Sequence, residues 1–212
     1  VDASIVDSPH APDGSILIEV TDDREDLRTE EEQAQEQAYQ YELKSRKPGV
    51  DTEARWVRKG QYYRYGYKKH VLTDGQGLVE SIITTPANCA DTVVLPELIE
   101  KAELTQGISV LADKGYCGKR NLACLLERGL IDGIMLKAQK GMELTERQRE
   151  LNNAISKMRC LIERTFGSIR RWFSGGRCRY RGLERTHTQN ILEAMAYNLK
   201  RMPGLLLLQS TQ

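Results

Sequence analysis

The sequence predicts a mixed α/β domain, and three observations predict it. A strand–turn–strand pattern runs from Tyr63 to Thr84, a strand–helix–strand unit runs from Ile108 to Leu136, and a long amphipathic helix runs from Thr145 to Phe173. The 212 residues suit one large domain, or one domain with an insertion, and a 40% hydrophobic content is enough for a core.

Val1–Val6 is a short β-like run, broken by Pro9, Pro12 and Gly14. From about Asp22 to Lys44 the chain is rich in Glu and Gln with few apolar positions, which reads as a solvated helix or a mobile insertion. A turn at Lys47–Gly49 closes it. Tyr63–Thr73 alternates aromatic, basic and apolar residues and reads as a strand. Asp74–Gly77 is a turn and Leu78–Thr84 a second strand, so the two form a hairpin. Asp91–Glu103 follows with Val94, Leu95, Leu98 and Ile99 at helical spacing and Asp91 as the expected N-cap.

Ile108–Ala112 reads as a buried strand ending at Asp113. Lys119–Arg128 is a helix stopped by Gly129, and Ile131–Leu136 returns as a strand expected to lie parallel to the first. The long helix carries Leu151, Ile155, Met158, Ile162, Phe166, Ile169 and Phe173 as one apolar stripe, with Thr145 as N-cap. A last helix is expected from about Thr188 to Arg201, with Pro203 beyond its end and 204–212 as a tail.

Net charge is +1, so bulk electrostatics names no partner, but the charge is unevenly placed. Between Glu19 and Glu36 nine acids face Arg24 and Arg28, and between Arg159 and Arg201 ten bases face Glu163, Glu184 and Glu193. That asymmetry favours a basic binding face at the C-terminal end; two ordinary solvated surfaces are the plain alternative. The five cysteines form no CxxC pair and their number is odd, which argues against a zinc site or a disulfide framework and for reduced thiols. No run approaches the roughly 20 apolar residues of a membrane span, and no signal peptide opens the chain. The chain starts without methionine and inside a strand, which reads as a fragment.

The chemistry-bearing residues lie on three elements. Asp2 is in the first strand, Asp113 ends a buried strand, and Glu163 is on the long helix among arginines. Three converging carboxylates suit hard divalent cations. Two such ions about 4 Å apart drive in-line attack on a phosphodiester. Arg159, Glu163 and Arg170 share one helix face. The structural alternatives are a solvated Glu163 paired with Arg159, an Asp113 that caps the turn after it, and an Asp2 at a strand edge. Lys114, Tyr116 and Arg120 form a polar group after Asp113 able to meet a phosphate or stack on a base. His10, His70 and His187 are isolated in sequence, which disfavours a histidine metal site.

These motifs together resemble the DDE transposases of bacterial insertion sequences, in the insertion-sequence four/five superfamily. The matching pieces are VDAS at Asp2, GYKKHVLTD in the hairpin, TTPANCADT after it, LADKGY at Asp113 and ISKMRCLIERTFGSIRRW around Glu163. The family's third-acid motif is Tyr, two residues, Arg, three residues, Glu, six residues, Lys or Arg. Arg159, Glu163 and Arg170 fit it, and Ser156 stands where Tyr is expected.

The resemblance implies an RNase H-like catalytic domain over 1–203, a mixed sheet flanked by helices, with a charged insertion at 22–49. It implies Asp2, Asp113 and Glu163 as catalytic residues and ligands of two magnesium or manganese ions. Arg159, Arg170, Arg171, Lys114 and Tyr116 would contact DNA. The partner would be double-stranded DNA, the ends of the element and its target, with a homodimer as the active form in the nucleoid-associated cytoplasm. Family members carry a region ahead of the first Asp, and with the first strand cut short Asp2 is expected to be poorly held. The alternatives are a truncated remnant that binds DNA without catalysis, and an RNase H-like nuclease of repair or resolution.

Overall fold

The hairpin foreseen between Tyr63 and Thr84 is the centre of the sheet. The computed structural model describes residues 1–12, 48–138 and 142–209, with side chains through 207. The expected insertion at 22–49 therefore lies outside the described residues, apart from the turn at Pro48–Gly49. In chain order the elements are β1 (Asp2–Asp7), β2 (Arg55–Lys59), β3 (Tyr62–Thr73), β4 (Val79–Pro86), α1 (Asp91–Ala102), β5 (Ser109–Ala112), a 3-10 turn at Lys114–Tyr116, α2 (Lys119–Glu127), β6 (Ile131–Ile134), α3 (Glu146–Phe173) and α4 (Leu183–Gln209).

β3 pairs antiparallel with β1, from Asp2↔Val71 to Asp7↔Gly66, and with β4, from Tyr67↔Pro86 to Thr73↔Val79. Its outer half pairs with β2, from Arg55↔Gly66 to Lys59↔Tyr62. Gly66 is thus flanked by strands on both edges. A Cβ there would stand 2.1 Å from the Val6 carbonyl oxygen, so the close approach of β1 requires glycine. β5 and β6 form the expected parallel ladder, Ser109↔Ile131 to Ala112↔Ile134. The Val1 nitrogen donates to the Leu111 carbonyl and sets β5 beside β1. Farther along β1, Asp7 bridges to Arg177.

Cross-strand partners share a face and successive residues alternate, so β1 and β3 present two distinct surfaces. On one, Val1, Leu72 and Ile83 pack with Val94, Leu95, Leu98 and Ile99 of α1 and Leu125 of α2. On the other, Val71 packs with Ile162 and Phe166 of α3. On that same side Asn190 and His187 of α4 hydrogen-bond the Thr84 hydroxyl of β4, at 3.0 and 3.1 Å. Helices therefore cover both faces of a largely antiparallel sheet.

Four expectations are corrected. The N-cap of α1 is Ala90; Asp91 is the first helical residue, and its carboxylate is drawn to the Lys68 ammonium at 2.9 Å. The first half of the α3 stripe is rotated: Leu151 and Met158 are exposed, while Asn152 and Arg159 turn inward. Asn152 does so because it completes the strand edge beyond β6, accepting from Leu136 N–H (2.8 Å) and donating to Leu136 C=O (3.0 Å). β6 accordingly ends at Ile134, short of the expected Leu136. The last helix begins at Leu183 and continues through Pro203 to Gln209. The carbonyl that Pro203 leaves without a donor belongs to exposed Leu199, where water can serve it. The N-cap of α3 is Thr145 as expected, with a complete capping box to Gln148.

Candidate active site

β1 and β5 bring two of the three acids together. Asp2 opens β1, with its Oδ1 accepting from Ala3 N–H at 2.8 Å and lying 3.2 Å from Nη2 of Arg159. Burial holds the Asp2 carboxyl above its ordinary pKa. Arg159 opposes that rise, and the nearby charge of Asp113 adds to it. Asp113 follows β5 and caps the 3-10 turn, accepting from Lys114 N–H at 2.6 Å. The capping role foreseen as the alternative for Asp113 therefore coexists with its approach to Asp2.

α3 crosses the face of β1 that carries Asp2. Arg159 reaches Asp2, and Arg170 donates from Nη2 to the Ser4 hydroxyl at 2.8 Å, two residues further along the same strand face. Glu163 stands on α3 between these arginines and is exposed. Among the described residues no group of three or more His, Cys, Asp or Glu lies close enough to hold a metal ion. Asp2 and Asp113 offer the oxygen donors a hard cation prefers, but Arg159 occupies Asp2 and Glu163 does not complete the set. As arranged, the three acids do not make a cation cage, and no catalytic step through a metal follows from this geometry.

The basic residues divide. Lys114 and Arg171 are exposed and free to approach a phosphate. Arg159 is only 7% exposed and is committed to Asp2, with its Nη1 also 3.7 Å from the Met135 sulfur. Tyr116 is 1% exposed, so it is a core residue and not a stacking platform. The physical reason is that the 3-10 turn after Asp113 folds its ring under the site and against His70, where its hydroxyl lies 3.3 Å from Nδ1.

His70 is fully buried. Its Nε2 meets the Thr85 hydroxyl at 3.0 Å, and burial with the Lys68 charge pushes its pKa down to about 3. Lys68 in turn donates to the Cys89 carbonyl (2.6 Å) and Asp91 (2.9 Å), tying α1 to the hairpin beneath Asp113. Ser4 escaped the sequence reading, although its period-two spacing from Asp2 was visible. On the same sheet face, buried Lys69 donates to Gly175 C=O at 2.6 Å and approaches Glu193 at 3.3 Å. Among the described residues, no disulfide joins any of the five cysteines.

Residues 15–199 match the family described as the transposase DDE domain, a span that includes Asp113 and Glu163 and starts after Asp2. The "Transposase for insertion sequence element IS1106" of Neisseria meningitidis serogroup B is 42% identical over 152 residues, covering 72% of this chain and 52% of that protein. The chain thus spans about half the length of that curated relative. No solved structure matches it. The chain belongs to the DDE transposase family of insertion sequences.

Proposed function

We propose that the chain supplies the DNA strand-cleaving and strand-transferring core of an insertion-sequence transposase, built on an RNase H-like domain. The observation that carries the reading is the placement of β5 beside β1, which puts Asp113 in the neighbourhood of Asp2, with the Glu163 helix tied to Asp2 through Arg159. The strand order supports the domain class: β4, β3 and β1 run side by side, and β5 with its parallel partner β6 lies beyond β1. The family generally uses divalent metal ions, and magnesium or manganese is the proposed choice. Asp2, Asp113 and Glu163 are the acids on which cleavage depends. Lys114, Arg170 and Arg171 are the cations that face the DNA backbone.

A joining assay tests it. A DNA fragment carrying the ends of the chain's own insertion sequence is incubated with the protein and a target plasmid. Covalent joining of a 3′-end to the plasmid, lost in Glu163→Gln, is the expected result. Cleavage without joining would replace the transposase reading with that of a nuclease. A second reading, DNA binding without catalysis, has one observation in its favour: the Arg159–Asp2 ion pair. Retained duplex binding with neither cleavage nor joining would support it.

A further inference from the structure

We propose that the tip of the β2–β3 hairpin is a nucleic-acid contact that stacks unpaired bases of a single strand; this rests on the reading of the chain as DNA-acting. From Arg58 to Arg64 the sequence holds three Lys or Arg and no acid, and Arg58 and Lys59 are exposed. At the tip, Tyr62 is 76% exposed and Tyr63 49% exposed, an unusual state for two adjacent aromatic rings. The ladder register places Arg58 directly across from Tyr63 and Lys59 directly across from Tyr62. Neighbouring residues of a strand point to opposite faces, so each face of the tip carries one tyrosine beside one cation.

The arrangement is held in place. Arg58 donates from Nε to the Gly60 carbonyl at 3.1 Å, and its guanidinium lies 5.9 Å from the centre of the Tyr63 ring. Below the tip, Trp56 packs on Tyr65 with ring centres 5.1 Å apart, which anchors the ribbon to the sheet.

A planar exposed ring beside a positive charge matches a nucleotide, whose base offers a π-face and whose phosphate offers a negative charge. Duplex DNA shows its phosphates but hides its base faces, so the two tyrosines favour an unpaired strand. Tyr62 lies nine residues along β3 from Val71, the partner of Asp2, or about 30 Å of strand. The tip is therefore a subsite separate from the acids.

The test is fluorescence anisotropy of the full chain with a labelled oligothymidylate and, in parallel, a labelled mixed-sequence duplex. Circular dichroism and thermal unfolding check that each variant folds. Tyr62→Ala with Tyr63→Ala is expected to weaken single-strand binding about tenfold or more while changing duplex binding by less than about twofold. Tyr62→Phe with Tyr63→Phe is expected to restore it. Arg58→Ala with Lys59→Ala is expected to lower the salt slope for the single strand by about 1.4. Single-strand affinity that survives loss of both tyrosines overturns the proposal, as does an equal loss for duplex and single strand. Plasmid nicking by the wild-type chain is scored alongside. Tyrosine-dependent single-strand affinity without nicking would sink the catalytic reading and leave this one standing, and nicking without tyrosine dependence would do the reverse.

Discussion

Arg159 of the long helix is ion-paired at 3.2 Å to Asp2 of the first strand, and the arginine is almost wholly buried. The pair clasps α3 to β1 at the point where the acids meet. Arg159→Gln would strand a largely buried carboxylate, and the expected loss is about 3 kcal/mol at neutral pH. The pH dependence follows from the Asp2 pKa, which is raised in the folded chain above the ordinary 3.8. An acid with a raised folded pKa binds its proton more tightly when folded, so its cost to stability is absent below pH 3.8 and grows as pH rises through the folded value. Without Arg159 that rise would be larger. Urea unfolding should therefore show a greater penalty for Arg159→Gln at pH 7 than at pH 3. Equal penalties at both would contradict the clasp.

His70 gives a pH dependence of the opposite sign. Its pKa is about 3 in the fold against an ordinary 6.5. A base with a depressed folded pKa adds stability that is present above pH 6.5 and lost as pH falls toward 3. His70→Gln keeps a hydrogen-bonding side chain between Tyr116 and Thr85 but removes the titration. Denaturation curves between pH 6.5 and 3 should be shallower in pH for this variant than for the wild type, and an unchanged slope would place the acid sensitivity elsewhere.

Gly66 and Gly60 separate two reasons for glycine in one ribbon. A Cβ on Gly66 meets the Val6 carbonyl at 2.1 Å, whereas one on Gly60 meets nothing within 4 Å and bears only the strain of its φ of 65°. Gly66→Ala is expected to cost about 3 kcal/mol or more, and Gly60→Ala about 1 kcal/mol. Thermal unfolding of the two variants checks the order, and a Gly60→Ala change as damaging as Gly66→Ala would refute the account of the β1–β3 approach.

Lys69 and Glu193 form a buried pair across β3 and α4. Lys69→Met leaves the carboxylate without its cation, and a loss of about 3–5 kcal/mol is expected. Adding Glu193→Met should recover most of it, because an apolar pair of similar size needs no desolvation. A double variant as unstable as the single one would show that the pair is not the unit of stability here.

The fold was largely legible where local rules dominate. Thr145 with Gln148 announces the start of α3, Asp74–Gly77 sets the hairpin turn, and the two short apolar runs around α2 call for a parallel ladder. What the residues alone hid depends on partners far away in sequence. Periodicity made Leu151 and Met158 the inward residues of α3, but Asn152 had Leu136 to bond and Arg159 had Asp2, and these polar contacts turned the helix. Tyr116 reads as a DNA contact from the sequence because nothing local reveals that His70 waits beneath it. At the site, helical spacing put Arg159, Glu163 and Arg170 on one face correctly. It did not say that the arginines would bond to β1 while Glu163 stayed exposed.

The central claim is that Asp113 belongs to a DNA-cutting site assembled from β1, β5 and α3. Its most direct test is nicking of a supercoiled plasmid by the purified chain, with and without magnesium or manganese, beside Asp113→Asn. The account predicts nicking that disappears in Asp113→Asn while DNA binding is kept. Nicking by Asp113→Asn at the wild-type rate would contradict it.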